Sequence, residues 1–144
     1  MNSGKWVLTI SVVLASLSCK KDNLNDQLGI PYFKVDQYVL LSAPQYLQLN
    51  AVGGWAYLTG GSRGIVLYHR GFEDYVAFDR HCTWQTAETC GLVSVDSTGV
   101  FLNCACCTSK FSLIDGSTTN GPAINGLLQY NAQLSGPGTL HVWN

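Results

Sequence analysis

The chain is poor in charge, and that scarcity sets the first bounds. Only 12% of its 144 residues are Asp, Glu, Lys or Arg, and the net charge is -1. A nucleic-acid binder needs a basic face against the phosphates, so nucleic acid is not an expected partner. Helical periodicity is missing too: beyond the N-terminal segment, no stretch of convincing length repeats apolar residues at three- and four-residue spacing. There is no internal repeat, no paired-carboxylate motif, no nucleophile box, and no Cys-x-x-Cys on a helix for thiol exchange. Catalysis is therefore not what the residues point to. The longest uncharged apolar run, Trp6 to Leu17, is too short to span a bilayer comfortably.

What is present favours strands. Fifteen Gly, seven Tyr and runs of Val, Ile, Leu and Thr suit extended chain and tight turns. The length suits one domain with its own core. Tyr46-Leu-Gln-Leu-Asn50 alternates apolar and polar and predicts a half-buried strand, as do Pro31 to Val35 and Tyr38 to Leu41. Trp55 to Thr59 and Gly64 to Arg70 flank Gly60-Gly61-Ser62-Arg63, the clearest hairpin signal, and Tyr75 to Asp79 follows. Gly91 to Asp96, Val100 to Asn103, Phe111 to Ile114, Leu127 to Tyr130 and Leu140 to Trp143 complete the series. Turns every eight to twelve residues predict an all-β sandwich or barrel. His69 and His141 fall inside strand patterns and read as sheet residues rather than ligands.

The N-terminus reads as a targeting segment. Lys5 precedes the apolar run, which ends in Ala15-Ser16-Leu17-Ser18-Cys19 before Lys20-Lys21-Asp22. This resembles a bacterial lipobox, with Ser16 standing where that pattern has an aliphatic residue. The resemblance implies a signal peptide over 1–18, lipid on Cys19, a flexible tether over 19–29, and a domain over 30–144. Such a protein sits in the cell envelope, on the periplasmic or outer-membrane face, with the membrane as partner through its lipid. Of six cysteines, Cys82, Cys90, Cys104, Cys106 and Cys107 then remain. Their number is odd, so disulfides alone cannot use them, and a metal centre or a free thiol takes the remainder.

Most of the cysteine lies in two boxes where strand patterns break: Cys82-Thr83-Trp84, and Cys104-Ala-Cys106-Cys107-Thr108-Ser109-Lys-Phe111. Asp115-Gly116 and Gly121-Pro122-Ala123 follow. In order and spacing this resembles the Rieske iron-sulfur domain, whose boxes read Cys-Thr-His and Cys-Pro-Cys-His-Gly-Ser-x-Phe, followed by a Gly turn and a Gly-Pro-Ala segment. The resemblance implies an all-β, Rieske-like antiparallel β-sandwich with two Cys-bearing loops at one end. It also implies a 2Fe-2S cluster holding two thiolates on one iron and two imidazoles on the other.

Carried over by position, Cys82 and Cys104 are the thiolates, while Trp84 and Cys107 stand at the imidazole places. Indole nitrogen is a donor only, so Trp84 ligates nothing. Cys107 could serve as a thiolate, and His81 is a candidate fourth ligand, its alternative being a plain loop residue. The resemblance further implies a Cys90 to Cys106 bridge between the loops and a Ser109 hydrogen bond to cluster sulfur. A cluster-free alternative pairs Cys82 with Cys104 and leaves Cys107 as a thiol; zinc at the same sulfurs would lack a standard zinc spacing. Two functions follow. One is a membrane-tethered one-electron carrier with an altered-ligand 2Fe-2S cluster and a redox protein partner. The other is a cluster-free, disulfide-braced lipoprotein that acts as a binding or structural module, with Trp84 at its loop tips.

Overall fold

The computed structural model describes residues 24–144. The signal segment, Cys19 and the first part of the expected tether lie outside the described residues. Within the expected tether, Leu24–Leu28 coils into one helical turn, α1, and Ile30 just beyond it is buried in the core. Among the described residues no helix is long and apolar enough to cross a membrane.

Ten strands pair antiparallel throughout, as the alternation and turn spacing predict. Six of them form one sheet: β1 (Asp36–Leu40), β2 (Trp55–Leu58), β3 (Ile65–Gly71), β4 (Asp74–Asp79), β9 (Gln129–Gly136) and β10 (Thr139–Trp143), in the order β1-β10-β9-β4-β3-β2. The other sheet is β5 (Val93–Val95), β6 (Phe101–Cys104), β7 (Lys110–Ser112) and β8 (Thr118–Asn120), in chain order. The result is the expected all-β antiparallel sandwich.

Side chains alternate across a strand, so each sheet face has its own residues. Val39, Ala56, Ile65, Leu67, Ala77, Leu140 and Val142 point into one core cluster. The six-stranded sheet curls around that cluster, and Gln37 Nε2 on the β1 edge donates to Thr59 O just past β2 at 2.9 Å. Val66, Val76 and Phe78, on the opposite face of β3 and β4, join Val93, Leu102, Phe111 and Leu113 in a second cluster between the sheets. Both faces of the β3-β4 hairpin are therefore buried, which explains its nearly unbroken apolar runs. Each large side chain buried there contributes roughly 1.5–3 kcal/mol.

One expected strand is a helix instead. Pro44–Asn50 forms a 3-10 helix with Pro at its start, where a fixed φ and a missing N–H cost nothing. At three residues per turn, Tyr46 and Leu49 share a side, and both pack on the first cluster. Leu47, which alternation would have buried along with Leu49, is 55% exposed. Pro31 to Val35 likewise stays outside the sheet, and the first strand begins at Asp36. His69 lies buried in β3, stacked on Tyr75 with ring centres 4.3 Å apart. His141 on β10 stacks between Tyr38 and Trp143 and meets Asp36 Oδ1 at 2.8 Å.

A buried carboxylate ends β4. Asp79 is fully buried and accepts hydrogen bonds from the N–H groups of Ser62 (2.6 Å), Arg63 (3.2 Å) and His81 (2.8 Å) and from the Tyr130 hydroxyl (2.7 Å). It thereby joins the β2-β3 turn, the chain entering the first cysteine box, and β9. Gly61 lets the turn approach this closely: its φ is +63°, and a Cβ there would collide with Asp79 Oδ2 and the Tyr130 hydroxyl. Burial first, and then the bond to Asp79, push the Tyr130 phenol well above its ordinary value. Asp79→Ala leaves buried donors without an acceptor and should lower unfolding free energy by about 3 kcal/mol or more in urea titration. A loss below about 1 kcal/mol would show that this hub is dispensable.

Candidate functional site

The two cysteine boxes leave the sandwich at the same end. Cys82 follows β4 by three residues, and its N–H donates to Gly91 O at 2.9 Å, so the first loop returns beside its own start. Cys104 is the last residue of β6, where its N–H donates to Ser109 O at 2.9 Å while its carbonyl accepts from Thr108 N–H at 3.1 Å. That second loop closes through Thr108, whose φ of +61° is unusual for a β-branched residue. Thr108 occupies the place where the resembled motif has glycine, so sequence and strain agree.

Gly121-Pro122-Ala123 packs directly on this loop. A Cβ on Gly121, at φ +92°, would meet Ser109 Cα at 2.5 Å, and Ala123 N–H donates to Ser109 Oγ at 3.1 Å. The first loop is held separately. Arg63 donates to Thr89 O at 3.2 Å, and the Thr83 hydroxyl donates to Asn125 O at 2.6 Å. A Cys90–Cys106 disulfide then joins the two loops.

The remaining sulfurs converge. Cys82, Cys104 and Cys107 Sγ all lie within 4.8 Å of one another, and Cys82 Sγ is 3.5 Å from Cys107 Sγ. Among the described residues this is the one group of three or more metal-ligating side chains, and it is compatible with a metal. Cys82 and Cys104 are buried in the inter-sheet cluster, and Cys107 is half-buried. All three are free thiols, so the Cys82 to Cys104 bridge of the cluster-free alternative is not formed.

Ionisation is unevenly distributed among them. Burial pushes the Cys82 thiol far above its ordinary value; the Trp84 N–H opposes this, while the neighbouring Cys104 and Cys107 add to it. Burial also resists ionisation of Cys107. There the Ser109 hydroxyl, 3.2 Å from the sulfur, the Ser109 N–H and the two neighbouring thiols win, and hold Cys107 below the ordinary thiol range. Cys107 therefore carries charge before Cys82 does.

His81 is not brought to the sulfurs. Its Nδ1 lies 2.8 Å from Ser62 Oγ and its Nε2 2.8 Å from Thr86 O. A carbonyl only accepts, so Nε2 carries the proton and Nδ1 accepts from Ser62. The ring is buried, and burial lowers its pKa, so His81 is a neutral brace across the first loop. Trp84 is 37% exposed at the tip of that loop. Ser109 Oγ lies 3.2 Å from Cys107 Sγ, whereas the resemblance implied a hydrogen bond from Ser109 to cluster sulfur. Asp79, Arg63 and Thr108 were not among the sequence candidates, although they set the loop geometry. Asp79 could have been suspected only as a charge closing the apolar run Tyr75-Val-Ala-Phe78 directly before the first box.

A 2Fe-2S cluster requires two donors on each of two irons. Here the protein supplies three sulfurs drawn into a single group, with indole at the fourth place and the nearest imidazole committed elsewhere. The donor set does not fit that cluster.

No family model matches the chain, and no curated protein matches it. Among solved structures, the chain is similar to the ferredoxin of carbazole 1,9a-dioxygenase from Nocardioides aromaticivorans IC177. That match has 13% identity and a TM-score of 0.48, over 78% of this chain and 98% of that one. A second similar chain belongs to a complex of reduced oxygenase and oxidized ferredoxin in carbazole 1,9a-dioxygenase. Its identity is 18% and its TM-score 0.45, over 63% of this chain and 81% of that one.

Two measurements test the loop geometry. Thr108→Gly removes a left-handed β-branched residue and should raise stability by about 0.5–1.5 kcal/mol, the steric relief being partly offset by a more flexible unfolded chain. A loss of stability would show that the Thr108 side chain itself holds the loop. Iodoacetamide pulses at pH 7.5 on metal-free protein should modify Cys107 before Cys82, by peptide mass spectrometry. Equal labelling would contradict the earlier ionisation of Cys107.

Proposed function

We propose that this protein is a cluster-free, disulfide-braced lipoprotein of the cell envelope, a Rieske-plan domain that acts as a binding module through the thiol-bearing end of its sandwich. The observation that carries the reading is the convergence of Cys82, Cys104 and Cys107 without a fourth donor among the described residues. An electron carrier on the same plan would need a second iron with two ligands of its own. At that place stand Trp84, which has no lone pair to give, and Cys107, which leans 3.5 Å from Cys82.

The other parts suit a tethered module. Acylation of Cys19 would hold the domain at a membrane face through the polar stretch that follows it. The disulfide fixes the loops in an oxidising compartment, and the three thiols face one another beside it. A redox protein partner belongs to the electron-carrier alternative, and nothing in the donor set asks for one.

Elemental and thiol analysis decide between the two. Protein purified without oxygen and then offered iron and sulfide should stay free of stoichiometric iron and acid-labile sulfide. It should show no visible absorption from an iron-sulfur centre. Mass spectrometry after alkylation should find one bridge, Cys90–Cys106, and three alkylated cysteines in the domain. Two irons and two sulfides per chain, with a reduced-state paramagnetic signal, would overturn the reading in favour of the electron carrier.

A further inference from the structure

We infer that Cys82, Cys104 and Cys107 form a binding site for one soft, thiophilic metal ion, held by three thiolates with one coordination position left open. This deepens the cluster-free reading and rests on it.

The distances favour one ion. A tetrahedral metal with bonds to sulfur of about 2.3 Å places its sulfurs about 3.8 Å apart. The three Sγ atoms all lie within 4.8 Å of one another, and the Cys82 to Cys107 separation is 3.5 Å. Closing the group around an ion therefore takes movements of an ångström or less, and no second loop has to be recruited. The scaffold is already locked, because the Cys90–Cys106 bridge joins the loop after Cys82 to the residue next to Cys107.

Donor chemistry selects the kind of ion. Three sulfurs with no carboxylate or imidazole among them suit Cu(I) or Zn(II) and disfavour Mg(II) or Ca(II). Binding displaces thiol protons, and the ion's positive charge offsets the thiolates. The Trp84 and Ser109 N–H groups and the Ser109 hydroxyl point at the sulfurs, the outer contacts that orient and stabilise thiolate ligands. Cys107 is the one half-buried member, so the open position falls on the solvent side, within reach of water or an outside thiol.

The test is Cd(II) titration of the full chain in detergent, purified without oxygen and with its disulfide intact. Sulfur-to-Cd(II) charge-transfer absorption should saturate at one ion per chain. Bound Cd(II) should protect all three thiols from alkylation in the wild type, a readout that needs no variant. Cys107→Ser should weaken binding about 100-fold or more, since loss of an outer contact alone costs 10–100-fold. His81→Gln should bind as wild type does. Competition with Zn(II) and with Cu(I) in separate arms then tells which ion the site prefers, and displacement by either supports the site.

Three results would overturn the inference: no saturable Cd(II) absorption, unchanged binding in Cys107→Ser, or loss of binding in His81→Gln, each variant with its bridge and thermal unfolding intact. Iron and sulfide analysis fails separately. A loaded 2Fe-2S centre sinks both readings, whereas its absence together with absent Cd(II) binding sinks this one alone.

Discussion

The Asp79 carboxylate is the constraint on which the functional end of this molecule depends. A charge removed from water is tolerated only when hydrogen bonds replace its hydration, and Asp79 has four donors from three separate parts of the chain. Those donors are reached only if the Gly60 to Arg63 turn folds inward and Tyr130 arrives on β9. The chain beyond Asp79 must also turn, so that His81 N–H points back. The carboxylate thus fixes where the first cysteine box starts. Arg80, caught in the same turn, lays its guanidinium 3.7 Å from the centre of the Tyr57 ring and donates to Val93 O at 3.0 Å, tying β2 to β5. One buried charge sets both the join between the sheets and the entry to the site.

The thiols continue the same core. Cys82 and Cys104 are packed among Val93, Leu102 and Phe111, so the site is built on strand ends rather than on free loops. Rigid support of this kind brings three sulfurs together without requiring a metal to gather them. It also makes buried Cys82 a reluctant acid, because a lone thiolate among apolar side chains has lost its hydration. The half-buried Cys107, with Ser109 beside it, carries charge at lower cost. The contrast between the two follows from burial at Cys82 and from the Ser109 hydrogen bonds at Cys107.

Much of this was legible in the residues. Glycine-marked turns and two-residue alternation located the β2-β3 hairpin and most other strands, because those signals are local, but they missed β8 and all of β9 beyond Tyr130. The Cys90–Cys106 bridge was implied by the resemblance of the boxes. Pro44 to Asn50 misled because two leucines two apart fit a strand, while the proline and a three-residue turn favour a helix. His81 could not be placed from sequence, since its direction is set by Ser62 and by Thr86 O, nineteen residues before it and five after. Asp79 escaped notice for the same reason: its four partners are brought together only by the fold.

The departures of the two boxes from the motif they resemble form a coherent set. With indole at position 84, a second iron would be short of a ligand whatever stood at 107. A thiolate at 107 gains more by joining Cys82 and Cys104 than by standing apart. Threonine at 108 adds a left-handed strain of about 1–2 kcal/mol. The Cys90–Cys106 crosslink spans a sequence separation of 16. A loop of that length stabilises by about 3 kcal/mol, enough to hold the strained turn closed. The turn presents Cys107 to the other sulfurs, so the bridge, the strained threonine and the missing imidazoles all favour one compact group of thiols over a two-iron centre.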